Sequence, residues 1–132
     1  MENRNTTNTT KNNNQAMSYD DVLDKLDLIS IKFETYNDYP QAATNNAKRA
    51  RKWKEENGSD CGTRVGWTRS AQLANRENIS RDTIARMASF KRHQQHKDVP
   101  YSEGCGGLMW DAWGGSSGVN WAINKLKQID KK

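Results

Sequence analysis

The stretch Gly104–Ile129 reads G-C-G-G-L-M-W-D-A-W-G-G-S-S-G-V-N-W-A-I-N-K-L-K-Q-I, and its reading decides the fold. Three of the chain's five tryptophans, Trp110, Trp113 and Trp121, sit in it around one Gly/Ser hinge. Leu108 to Trp113 predicts a short helix stopped by Gly114-Gly115. Beyond the hinge, with Ser117 as its cap, Val119, Ala122, Ile123, Leu126 and Ile129 recur at helical spacing. A buried tryptophan removes roughly 150–250 Å² from water, worth several kcal/mol at about 25 cal/mol/Å². The stretch is therefore expected to be a helical hairpin on which earlier helices pack. Trp53 and Trp67 complete the expected core.

Working outward, Ile79-Ser80-Arg81-Asp82-Thr83-Ile84 marks a helix start: Ser80 as N-cap, with Ile79 and Ile84 at the two positions of a hydrophobic staple. That helix is expected to reach about Arg92, with Ile84, Met87, Ala88 and Phe90 inward, before a polar connector over 93–103. A helix from about Val65 to Asn75 precedes it. Ala74, Asn78, Ser80, Thr83, Ile84 and Met87 fall at helix-turn-helix spacing, with Asn78 as the turn residue tolerant of positive φ. Glu77 is a poor fit to that motif's turn. Earlier still, Ala42, Ala43, Ala47, Ala50 and Trp53 stripe a helix opened by Pro40 and stopped by Gly58.

The chain has 132 residues, 33% hydrophobic and 28% charged, too polar for all of it to share one core. Residues 1–17 are Asn/Thr-rich and cannot offset their ordering entropy by burial. They are expected to form an arm, extended or disordered, that takes shape only against neighbours. Residues 18–39 read as an acidic amphipathic helix capped by Ser18, with Val22, Leu23, Leu26, Ile29 and Phe33 as a candidate partner-binding stripe, and then a connector. Residues 40–132 read as the helical domain. The class is all-α: a small bundle of four to six short helices with a Trp-rich core and an extended N-terminal arm.

Net charge is +5, but residues 45–97 alone carry thirteen Lys/Arg against five Asp/Glu. Lys48, Arg49, Arg51, Lys52, Arg64, Arg69, Arg81, Arg86, Lys91 and Arg92 are the candidate contacts to DNA or an acidic partner. Solvated helix faces produce the same pattern, and cations favour a helix C-terminus in any case. Cys61 and Cys105 make no disulfide framework. With no secretory signal or membrane span in the sequence, their thiols are expected to stay reduced. Cys61, His93, His96 and Cys105 are metal-ligand types without zinc spacing, so no metal or cofactor is expected. Ser116, Ser117, Glu103 and Asp111 have no evident catalytic partners, and no enzyme is expected.

Several runs in order carry a resemblance: Ala43 through Ala47, Ala50 and Trp53-Lys54 to Gly58, then G-T-R-V-G-W-T-R-S-A-Q-L-A, I-S-R-D-T-I-A-R-M-A-S-F-x-R-H and W-D-A-W-G-G-S-S-G-V-N-W-A. Together, over about Ala43–Ala122, they resemble a small helical domain that recurs in tailed-bacteriophage proteins, alone or appended to head and virion proteins. The His93–Gly104 connector is shorter and less charged than in that family and carries nothing over. The resemblance implies a non-enzymatic virion or head component. Such a component would assemble in the host cytoplasm in many copies. It would bind capsid, portal or connector proteins through its arm and acidic helix, with its basic middle facing packaged DNA or an acidic surface. The alternative is a free DNA-binding protein using the 65–92 helix pair.

Overall fold

The structure is a computed structural model that describes residues 18–22 and 34–131. Residues 1–17, with the expected arm, and Leu23, Leu26, Ile29 and Phe33 lie outside the described residues. The chain divides into units Met1–Lys32 and Phe33–Lys132. In the first, Ser18 caps a helical turn over 19–22: its Oγ accepts from the Asp21 amide at 3.1 Å. Val22 is exposed there.

The second unit is all-α with one minimal sheet. Its elements are β1 (Thr35–Tyr36), α1 (Gln41–Asn57), α2 (Arg64–Ala74), β2 (Ile79–Ser80), α3 (Arg81–Ser89), a 3-10 helix (Phe90–His96), α4 (Gly106–Ala112) and α5 (Gly115–Asp130). Helix α1 packs against α2, α4 and α5, and α3 packs chiefly against α5. Ala43, Ala47 and Ala50 on α1 are fully buried. Small side chains at this spacing let three helices approach one axis closely. Ala42, expected in the stripe, is exposed. Pro40 stands just before α1 as its N-cap, and Gly58 ends α1 at φ 70°.

Helix α3 starts as its sequence dictates. The Ser80 Oγ accepts from the Thr83 amide at 3.2 Å, and the staple residues Ile79 and Ile84 are 2% and 0% exposed. It ends sooner than expected: from Phe90 the chain tightens into the 3-10 helix, which occupies the first part of the expected connector. Phe90 lies with its ring 5.0 Å from that of Trp113, almost parallel to it. Helix α2 begins on Thr63, whose Oγ1 accepts from the Gly66 amide at 3.2 Å. Val65 at its start faces outward, 44% exposed.

The hairpin of α4 and α5 turns at Trp113-Gly114, before the serines. Gly114 has φ 101° and Gly115 φ 66°, so α5 starts at Gly115 and Ser117 is a helical residue with no capping role. A Cβ on Gly114 would sit 3.0 Å from the Gly118 Cα and 3.5 Å from the Ala43 Cβ. The reversal therefore needs glycine for both its φ and the close approach of α1. Asn46 Nδ2 on α1 donates to the Gly114 carbonyl at 2.9 Å and fixes the turn. Of the five tryptophans, Trp110 (3% exposed) and Trp113 (8%) are buried. Trp53, Trp67 and Trp121 are half-buried at the rim.

Three features depart further from expectation. Thr35 and Tyr36 pair antiparallel with Ser80 and Ile79, a ladder too short to leave an alternating pattern in sequence. The positive φ between α2 and α3 belongs to Arg76, at 52°, where Asn78 was expected. The Arg76 guanidinium accounts for this: it donates to the Tyr39 carbonyl at 2.6 Å, the Asn37 carbonyl at 3.1 Å and Thr44 Oγ1 at 2.8 Å. Tyr39 is buried beneath it and donates its hydroxyl to the Glu77 carbonyl at 2.8 Å. The residues read as a connector, 35–39, are thus tied to the helical unit by the short ladder, by Arg76 and by the buried Tyr39. Finally, Cys61 and Cys105, expected as reduced thiols, are joined in a disulfide, with Cα atoms 5.4 Å apart across a separation of 44 residues. The bridge ties the loop after α1 to the residue before α4.

A candidate anion-binding groove between α1 and α2

Lys48, Arg51, Lys52 and Glu55 fall at i, i+3, i+4 and i+7 of α1 and so share one face, rising about 10 Å along the axis. With Lys54 they form one side of a groove of about 580 Å³; Trp67, Ala74 and Asn75 of α2 and its C-terminal end form the other. Four cations and one carboxylate line it.

The groove is partly pre-arranged. The Arg51 Nη1 donates to the Trp67 carbonyl and to the Ser70 Oγ, both at 2.9 Å. The Ser70 hydroxyl in turn donates to the same carbonyl at 2.8 Å. The Lys54 ammonium stands 5.3 Å from the Trp67 ring centre, a cation–π distance. The Trp67 indole N–H donates to the Cys61 carbonyl at 2.9 Å. A guanidinium anchored by one nitrogen keeps its other donors for an anion, at less entropic cost than a free side chain.

Of the ten sequence-nominated cations, the groove gathers three, Lys48, Arg51 and Lys52. Lys54 joins them; its place on the same helix was legible, its role beside Trp67 was not. Arg49 points another way, donating to Asn46 Oδ1 at 2.6 Å and standing 3.5 Å from Asp111 Oδ2. Arg64 is exposed at the start of α2. Arg69 donates to Gln72 Oε1 at 3.2 Å, while its Nε is buried without a partner. Burial, and then the neighbouring Arg86 charge, lower its pKa. Arg81 is committed to Asp130 at the far end of α5 by paired bonds of 2.9 and 2.8 Å. Lys91 donates to Asn120 Oδ1 at 3.3 Å and Arg92 to the Ser89 carbonyl at 2.9 Å.

The main partner of α2 is α1 and that of α3 is α5. Arg81, expected to reach DNA, instead closes α3 onto α5.

Asp111, read as isolated, has partners: it accepts the Tyr101 hydroxyl and faces Arg49. Burial first, and then the Asp111 bond, push the Tyr101 phenol up from 10.0 to about 12. The folded state thus holds this proton more tightly than the unfolded chain. The resulting stability is complete below pH 10.0 and is lost as pH rises toward about 12. Tyr36 is raised to about 12 as well, by burial and Glu34. Tyr101→Phe is expected to flatten part of the alkaline fall in urea midpoint, measured in pH steps across that window.

Cys61 and Cys105 are bonded to each other, and the His93 ring lies tilted against that of Phe90, with ring centres 4.6 Å apart. Among the described residues no group of three His, Cys, Asp or Glu side chains is placed to hold a metal ion. Nor, among them, is any helix long and apolar enough to cross a membrane. The chain matches no protein-family model, no curated protein and no solved structure.

Proposed function

We propose that the chain is a non-enzymatic component of a bacteriophage particle, present in many copies, whose α1–α2 groove lies against the phosphate backbone of packaged DNA. Its N-terminal segment, with the Val22–Phe33 stripe, docks on capsid, portal or connector proteins. The observation that carries the DNA side of this reading is the groove itself, lined by Lys48, Arg51, Lys52 and Lys54 together with Trp67. Phosphate contacts need cations placed along a backbone and no base readout, and a row on one helix face supplies them. The particle side rests on the sequence resemblance over about Ala43–Ala122.

The direct test is mass spectrometry of purified particles from cells that express the chain during infection. Peptides of the chain in a fixed ratio to the shell proteins are expected. Their absence from particles, with the chain left in the soluble fraction, contradicts the reading.

A second reading, a free DNA-binding protein using the 65–92 pair, draws support from the exposed Arg86 and the incompletely paired Arg69 beside it. It loses Arg81 to Asp130. Under that reading Arg86→Ala weakens duplex binding and Lys48→Gln with Lys52→Gln does not; under the groove reading the order is reversed.

A further inference from the structure

We infer that the Cys61–Cys105 disulfide is a redox control on the α1–α2 groove: closed, it holds Trp67 as the groove wall; opened, it releases that wall and weakens phosphate-backbone binding. The inference rests on the groove reading given above.

Trp67 is the element on which the groove's fixed geometry depends. Its carbonyl anchors Arg51, its ring faces Lys54, and its own N–H is anchored by the Cys61 carbonyl. Cys61 lies in the loop between α1 and α2. The other side-chain bonds of that loop are local, Ser59 Oγ to the Cys61 amide and Thr63 Oγ1 to the Gly66 amide. The thioether of Met109, a flexible group, covers Gly62. Cys61 and Trp67 also pack against the buried cluster of Ala50, Leu108 and Ala112, and the bond to Cys105 adds the covalent tie between the loop and the α4 side of the fold. Cys105 is exposed and Cys61 half-buried, so a thiolate reaches the Cys105 sulfur more readily.

The chemistry balances with a small dithiol as reductant. Its thiolate attacks Cys105 Sγ, a mixed disulfide forms, and Cys61 leaves as a thiolate that takes a proton. The second thiol of the reductant then displaces Cys105, which leaves as a thiolate and is protonated. The protein gains two electrons and two protons, and the reductant ends as a disulfide. Oxidised glutathione reverses the exchange. A particle component assembled in a reducing cytoplasm and released to an oxidising medium meets both conditions.

The test uses the full chain and a fluorescently labelled DNA duplex at low salt, at a temperature where far-UV circular dichroism reports helices in both redox states. Affinity is compared for the oxidised protein, for protein reduced with dithiothreitol, and for reduced protein reoxidised with oxidised glutathione. Reduction is expected to weaken binding about fivefold, the worth of one ordered hydrogen bond, and reoxidation to restore it. Trp67→Phe, which keeps a ring but removes the indole donor, is expected to bind weakly in both states with no redox difference. Equal affinities of the oxidised and reduced wild type overturn the inference and leave the groove reading standing. Collapse of the helices on reduction at every temperature tried also overturns it, because the effect is then loss of fold. Failure of the oxidised protein to bind duplex DNA at all overturns the groove reading, and the inference with it.

Discussion

Reducing the Cys61–Cys105 bridge is expected to lower stability by about 4 kcal/mol, the chain-entropy value for a closed loop of this length. The bridge spans 44 residues and encloses all of α2, β2, α3 and the 3-10 helix. Opening it frees the unfolded chain far more than the folded one. For a helical unit of this size each kcal/mol moves Tm by about 4–8 °C, so reduction is expected to lower Tm by roughly 15–30 °C. Thermal circular dichroism with and without dithiothreitol measures this, and Cys61→Ser with Cys105→Ser is expected to reproduce it without reductant. A fall of only a few degrees would mean that the loop gains little freedom when the bridge opens.

Trp110→Ala is expected to cost a further-reaching kind of stability, about 3–5 kcal/mol, typical of truncating a buried aromatic. Trp110 is 3% exposed, its ring lies 6.1 Å from that of Phe90, and its indole N–H donates to Ser116 Oγ at 3.3 Å on α5. Removing it leaves a void between α4, α5 and the 3-10 helix. Trp121→Ala is expected to cost no more than half as much. Trp121 is half-buried and makes a T-shaped contact with Tyr39, with ring centres 5.4 Å apart. Urea unfolding of the two variants side by side checks the ranking. Equal losses would mean that the five tryptophans contribute alike, which their burial does not support.

These two contrasts also show where the sequence was informative. Ala43, Ala47 and Ala50, and the pair Ile79 and Ile84, repeat with the period of the helix they belong to, so their burial could be read directly. So could Ser18, Ser80 and Gly58, whose roles are local to one helix end. What was not legible depends on partners far along the chain. Cys61 meets Cys105, Arg81 meets Asp130, and Arg76 gathers the Asn37 and Tyr39 carbonyls. No spacing rule connects such residues before the fold does. Ser117 misled for a different reason. It is a good cap by type, but the Gly114-Gly115 reversal places the helix start ahead of it.

The candidate site divides along the same line. That Lys48, Arg51 and Lys52 share a face follows from helical geometry alone. That Trp67 and the end of α2 close the groove opposite them, while Arg81 is withdrawn by an ion pair and Arg49 turned toward Asp111, depends on packing. A charge count therefore nominated ten cations with equal weight, and the fold brings three of them together.

The most direct measurement of the central claim is the salt dependence of duplex affinity for the oxidised full chain and for Lys48→Gln with Lys52→Gln. If the four groove cations neutralise phosphates, log affinity against log salt is expected to fall with a slope of about −3 to −4, and the double variant to flatten it by roughly 2. A slope that the double variant leaves unchanged would contradict the account, because the phosphates would then be held elsewhere on the molecule.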